Sequence, residues 1–187
     1  LCAVVARLTG QPCKMRLPRV EDMLMTGKRH PFYIEYDVGF DAKGQLHGIQ
    51  LDLAGNCGCS PDLSNSIVDR AMFHADNAYF LADVDITSYR CKTNTQSHTA
   101  FRGFGGPQGV IVIEAIMGDI ARALGLDPLD VRRRNLYSEE VIAPSSAAGP
   151  ERRRNTTHYQ MRVEDNILDP LISQLEQSSG YRQRRAA

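Results

Sequence analysis

Thr99-Ala100-Phe101-Arg102-Gly103-Phe104-Gly105-Gly106-Pro107-Gln108-Gly109 places two aromatics and one arginine among four glycines, and an apolar run with helical spacing follows at once. Glycine lets backbone N–H groups approach a ligand with no Cβ in the way, and it accepts turns with positive φ. A loop of this kind opening on a helix N-terminus is suited to an anion or a cofactor. Phe101, Phe104 and Arg102 are then the side chains large enough to act. On these residues alone, a tight turn with two buried phenylalanines is the simpler reading.

Working outward from the loop, Val110 to Leu124 is the strongest helix in the sequence. Val112, Ile113, Ile116, Ile120 and Leu124 share one face, and Gly125 stops it. Asp127-Pro128 supplies an N-cap and a first-turn proline for a helix running to about Leu136. Upstream, Val84 to Cys91 alternates as a strand entering the loop. A helix is expected around Ile67–His74. Phe32 to Phe40 alternates with period two, Asp41-Ala42-Lys43-Gly44 reads as a hairpin turn, and Leu46, Ile49, Leu51 and Leu53 mark the returning strand. Residues 2–9 read as a helix closed by Gly10, residues 13–18 as a short strand, and residues 20–27 as a turn or short helix. The pattern predicts an α+β fold, a small mixed or antiparallel sheet packed with helices. It predicts an exposed linker over 138–156, then a C-terminal helix near Val163–Ser178 and a frayed tail from Arg182.

The 187 residues balance 22 basic against 22 acidic side chains, which removes the simplest electrostatic case for a nucleic-acid partner. No apolar run is long enough to span a membrane as a helix. Leu1-Cys2-Ala3-Val4-Val5-Ala6 lacks a basic leader and reads as the interior of a helix, as expected of a segment of a longer chain. Five scattered cysteines argue against a disulfide framework and for a reducing, cytoplasmic setting. Cys57-Gly58-Cys59 is the one close pair, and its single spacer fits neither a zinc knuckle nor a redox motif. The basic runs at 132–134, 152–154 and 182–185 lack interleaved aromatics and read as solvated or inter-domain surface. His30 and His74 read as structural, with no metal-ligand spacing. Glu21-Asp22 is not an acid/base dyad, because adjacent helical side chains diverge.

The string Phe101-Arg102-Gly103-Phe104-Gly105-Gly106-Pro107-Gln108-Gly109 resembles a signature of the xanthine dehydrogenase family, in its molybdenum-binding subunit. Further stretches are similar in the same order: Glu21-Asp22-Met23, Thr26 to Phe32, Asp69 to Asn77, Cys91-Lys92-Thr93-Asn94 and Asp130-Val131-Arg132-Arg133. A weaker echo follows in Val163-Glu164-Asp165-Asn166. The resemblance implies that residues 1–137 are part of a molybdenum-cofactor-binding domain. Residues 138–156 then form a linker, and residues 157–187 a helical segment belonging to or docking on the next domain.

From the residues alone, Arg70 beside Asp69 is a surface ion pair on a helix. The resemblance implies instead that Arg70 binds a purine and stabilises charge developing on its ring, a task suited to a permanently charged donor fork. It implies that Phe104 packs on the planar substrate, and that Phe101, Arg102 and Gly103 contact molybdenum–molybdopterin. The intact enzyme would oxidise hypoxanthine and xanthine toward urate, with iron–sulfur, FAD and NAD on other modules and subunits. Aldehyde-oxidising relatives generally lack an arginine at this point. The family's G-G-G-F-G-G-K-E segment and its general-base glutamate lie outside these residues, so no catalytic residue and no metal ligand is expected here. The chain alone is expected to be inactive and free of cofactor. An aldehyde-oxidising enzyme, and a noncatalytic interaction module, are the alternatives.

Overall fold

The computed structural model describes residues 1–142 and 152–186. Its centre is a mixed three-stranded sheet, β1 (Phe32–Phe40), β2 (Leu46–Gly58) and β3 (Asp83–Lys92), in the order β1-β2-β3. β1 and β2 form the expected antiparallel hairpin, with Ile34 opposite Leu53 and Val38 opposite Ile49. β3 runs parallel to β2, pairing Leu51 with Ile86. A parallel neighbour needs a crossover, and α3 (Ser64–Phe73) supplies it. The fold is therefore α+β with a mixed sheet, as the sequence pattern predicts.

One face of the sheet is covered by α3 and α4 (Gly106–Leu124). Leu51 and Leu53 are fully buried against the layer formed by Ile113, Ile116, Met117 and Ile120. The apolar positions along α4 recur at helical spacing because that stripe is the half of the core the sheet cannot supply. The helix begins at Gly106, inside the glycine-rich string, and ends at Gly125 in the left-handed conformation.

α5 (Pro128–Asn135) starts as its sequence predicts, with Asp127 Oδ1 accepting the Leu129 N–H at 2.8 Å. Its last residue latches it to the hairpin. Asn135 is fully buried; its Oδ1 accepts the Leu46 N–H at 2.8 Å, and its Nδ2 donates to the Gly44 and Val131 carbonyls at 2.8 and 2.9 Å. Removing the amide strands one buried N–H and two carbonyls. Asn135→Ala is expected to destabilise the fold by about 2–4 kcal/mol, to be read from denaturant unfolding; a change within experimental error would contradict the latch.

Four expectations need correction. Residues 13–18 form no strand, because no neighbouring strand offers them a ladder. Residues 138–156 are not simply an exposed linker. Within the described part, β4 (Val141–Ile142) pairs with β5 (Arg152–Arg153), and Arg154 is only 3% exposed, its guanidinium donating to the Arg134 carbonyl at 2.7 Å; the rest of that stretch lies outside the described residues. The tail is not frayed either, since α7 (Tyr181–Ala186) follows α6 (Leu168–Ser179) and Arg182 Nη2 donates to Asp130 Oδ1 at 2.5 Å. The run at 132–134 is a set of internal clamps rather than solvated surface: Arg132 binds Glu114 at 2.9 Å and Arg133 binds Glu176 at 2.7 Å.

Among the described residues, no helix is long and apolar enough to cross a membrane.

Candidate functional site

The glycine-rich loop is built by a tight turn feeding directly into α4. The Phe104 N–H donates to the Phe101 carbonyl at 2.8 Å, closing a four-residue turn with Gly103 in its third position at φ 91°. That φ is the one a type II turn requires there, and glycine adopts it without strain. Phe104 follows at φ 49°, a left-handed conformation that is uncommon for a bulky side chain and clusters at functional sites. Gly105 then begins α4 from φ 96°. A Cβ on Gly105 would lie 2.0 Å from the Ile67 carbonyl oxygen, so only glycine allows the loop to sit this close to α3.

That contact sets the end of the loop against α3, beside the turn that carries Arg70. Arg70 is one helical turn beyond Ile67 on α3. Its Nε donates to His74 Nε2 at 3.3 Å, and the His74 ring lies 3.3 Å from the position of a Cβ on Gly106. This bond requires the His74 tautomer that carries its proton on Nδ1. Arg70 is exposed and is not paired with Asp69, whose carboxylate binds Arg90 instead. The reading of a simple Asp69–Arg70 surface pair is therefore incorrect. Phe101 is 53% exposed and Phe104 half-buried, so the loop is not a turn with two buried phenylalanines. The Arg102 side chain is exposed, and its carbonyl is held by a residue that the sequence did not single out.

That residue is Arg29. Its guanidinium carbon lies 4.6 Å from the centroid of the Phe101 ring, and its Nη2 donates to the Arg102 carbonyl at 2.5 Å. Its other amino group, Nη1, is buried with no hydrogen-bond partner, 3.9 Å from the position of a Cβ on Gly103. The flanking chain is firmly fixed. The Lys28 carbonyl accepts the Thr99 N–H at 3.2 Å, and the His30 carbonyl accepts from Gln108 Nε2 at 3.2 Å. A signal for Arg29 existed only in its lying within one of the quoted motifs, since no spacing relates it to the loop 73 residues later.

His30 is 2% exposed, hydrogen-bonded through Nε2 to Ser64 Oγ at 2.7 Å, and its ring centroid lies 5.7 Å from that of His98. Burial first, then the His98 imidazole, hold its pKa below the ordinary histidine value, with Asp62 opposing them. A depressed histidine binds fewer protons folded than unfolded, so the neutral form supports folding. That stability is complete above the unfolded pKa of about 6.5 and falls as the pH drops below it. For a single proton the slope is at most about 1.4 kcal/mol per pH unit. The thermal midpoint is expected to fall between pH 7.5 and 5.5, with a smaller fall in His30→Asn; equal slopes would place the titration elsewhere.

Cys57 is buried and Cys59 exposed, and all five cysteines are free. Among the described residues no group of three or more His, Cys, Asp or Glu is placed to hold a metal ion. A cleft of about 730 Å³ lies between residues 80–84 and the segment around Arg152, His158 and Arg162, with no residue of the loop in its lining.

With this geometry the chain can be set beside known proteins. The family of the molybdopterin cofactor-binding domain matches residues 1–136. The chain is 41% identical over 183 residues to the xanthine dehydrogenase/oxidase of Gallus gallus, covering 98% of this chain and 12% of that protein. It is 39% identical over 183 residues to the xanthine dehydrogenase of Calliphora vicina, with the same coverage of 98% and 12%. Among solved structures, the aldehyde oxidoreductase from Desulfovibrio desulfuricans aligns with a TM-score of 0.79 at 24% identity, over 97% of this chain and 18% of that one. The CO dehydrogenase from Oligotropha carboxidovorans aligns with a TM-score of 0.75 at 17% identity, over 99% and 22%. These two likenesses establish the fold. The chain spans only about an eighth of the length of the curated relatives it matches.

Proposed function

This chain belongs to the molybdopterin cofactor-binding domain family, and on that premise we propose that it forms one wall of the cofactor and substrate pocket of a xanthine dehydrogenase, oxidising hypoxanthine and xanthine toward urate. The observation that carries the reading is the shared rim of Arg70 and the 101–105 loop, created by the contact of Gly105 with Ile67. The residues fit a molybdenum–pterin group on structural grounds. Arg29 Nη1 is a buried donor without a partner beside the loop, and among the described residues the Gly103 and Gly105 N–H groups donate to no other atom of the chain. Such donors suit the anionic oxygens and electron-rich sulfurs of that group.

When bound, the group supplies the two-electron redox centre at which a purine carbon is hydroxylated. This chain supplies placement and electrostatics. Arg102 and Gly103, with Phe101, would hold the cofactor edge. Phe104, aimed by its left-handed backbone, would lie against the purine and keep it in register. Arg70 would donate to the ring and stabilise its developing negative charge. Arg70 is available for that task because no carboxylate among the described residues neutralises it. No general base is assigned within these residues.

We assign residues 1–137 to the cofactor domain and 157–187 to a segment that meets the next domain. The remaining partners are the rest of the molybdenum subunit and a module or subunit carrying iron–sulfur clusters and FAD, with NAD as acceptor, in the cytoplasm. Alone, the chain should be inactive and bind no molybdenum, because one wall of a pocket forfeits most of the contacts that offset the entropy of binding.

An aldehyde-oxidising enzyme is the competing reading. The test is turnover by the full-length protein containing this chain, with xanthine and with an aromatic aldehyde at matched concentrations. Faster xanthine oxidation is expected. Aldehyde turnover without xanthine turnover would reverse the assignment, and a protein with neither activity and no molybdenum would favour a noncatalytic module.

A further inference from the structure

We infer that the cleft beside the start of β3 is a groove for an extended acidic segment from elsewhere in the same polypeptide. The segment would lay its backbone along the open edge of β3 and set its carboxylates on Arg162. This rests on the reading above only in taking the chain as part of a longer subunit.

The floor of the cleft is a sheet edge. The strand order β1-β2-β3 leaves one side of β3 without a neighbour, and residues 80–84, which line the cleft of about 730 Å³, lead into that side. In a parallel pair every second residue turns its N–H and C=O away from the partner strand. Among the described residues, the backbone of Asp83–Cys91 makes no backbone hydrogen bond except to β2. Such an edge is a template for another strand, and β3 contains no proline to block one.

The facing wall is a tight hairpin, fixed at both ends. The Val163 N–H donates to the Asn155 carbonyl at 2.7 Å, and the Thr157 N–H to the Met161 carbonyl at 2.8 Å. His158 Nε2 donates to the Met72 carbonyl at 3.0 Å, pinning the hairpin to the end of α3. Arg152 Nη2 donates to the Ala82 carbonyl at 2.8 Å and ties the preceding residues to the floor. The cleft therefore has a shape set by the fold.

Charge identifies the occupant. In the lining, Arg152, Arg153 and Arg162 are set against a single carboxylate, Asp83, although the whole chain balances 22 basic and 22 acidic side chains. Arg152 and Arg153 are engaged within the protein, whereas Arg162 is exposed and its guanidinium has no partner among the described residues. Small-molecule pockets are mostly apolar. This lining consists largely of arginine, amide and hydroxyl side chains beside a strand edge, which suits strand addition by a peptide. Side chains alternate along a strand, so carboxylates at every second position would fall on the arginine side. A groove this short offers too little area to hold a separate protein. A segment of the same polypeptide needs far fewer contacts, because its effective concentration is high. The curated relatives carry about seven-eighths of their length outside the matched span, ample chain to supply it.

The experiment uses the full-length protein and two readouts. In the first, p-benzoylphenylalanine replaces Thr156, which lines the cleft, and the photo-cross-linked peptide is identified by mass spectrometry. The expected partner is a net acidic stretch of about six residues, in the same polypeptide and outside residues 1–187. A cross-link to a basic or apolar stretch, to a different polypeptide, or to nothing overturns the groove. In the second, amide hydrogen exchange is followed over residues 82–88. Arg162→Glu is expected to speed it by about tenfold or more, and Arg162→Lys by much less, while exchange in α4 stays unchanged. Unchanged exchange at 82–88 in Arg162→Glu overturns the groove, as does equal acceleration in α4. Neither readout involves molybdenum or turnover, so a protein lacking both would refute the proposed function and leave the groove to be decided by these results.

Discussion

Gly105→Ala is expected to destabilise the fold by about 3–5 kcal/mol, combining overpacking with backbone strain. The added Cβ would lie 2.0 Å from the Ile67 carbonyl oxygen and 3.1 Å from the Ala71 nitrogen. Both are backbone atoms in the middle of α3, so relief requires moving a helix rather than turning a side chain. The residue also sits at φ 96°, which an L side chain resists. For a domain of this size the thermal midpoint should drop by roughly 10 °C. Gly10→Ala is the internal control: Gly10 has φ 67° and nothing within 4 Å of its would-be Cβ, so strain alone should cost about 1 kcal/mol. Similar losses in the two variants would show that the α3–loop contact is not tight, and the shared rim of Arg70 and the loop would lose its structural basis.

On the proposed function, Arg70→Ala in the full-length protein should lower xanthine turnover by about one to two orders of magnitude, the size expected when an electrostatic stabiliser of the transition state is lost. Stability should barely change, within about 0.5 kcal/mol, because Arg70 is exposed and its polar contact within the chain is the 3.3 Å bond to His74. Turnover and stability can therefore be separated at this position, as they cannot at Gly105. Arg70→Lys should recover only part of the rate, since an ammonium keeps the charge but loses the fork. Steady-state kinetics with xanthine, beside a thermal midpoint for each variant, checks this. Unchanged xanthine turnover in Arg70→Ala would reject the purine assignment.

The corrections share one cause. Residues 13–18 form no strand because a strand needs a neighbour to pair with, and no local pattern supplies one. The tail from Arg182 reads as frayed because chain ends are commonly poorly ordered. Its order comes from Asp130 and Glu176, carboxylates on α5 and α6 whose proximity no local pattern encodes. The clamps at Arg132 and Arg133 are hidden in the same way: a run of arginines looks solvated until the fold brings Glu114 and Glu176 against it.

By itself, the sequence determined the pieces whose physics is local. The hairpin of β1 and β2, the buried stripe of α4 and the Asp127 cap follow from side-chain period, turn chemistry and capping, each decided within a few residues. The motifs also pointed to the family, and the match over residues 1–136 bears that out. Only the tertiary structure decided that β3 runs parallel to β2, because a crossover's direction depends on where α3 packs. It alone took Asp69 from Arg70 and gave it to Arg90, set the rim of Arg70 against the loop through the absence of a Cβ at Gly105, and revealed Arg29. These are contacts between residues tens of positions apart, where burial and close approach, rather than local preference, choose the partner.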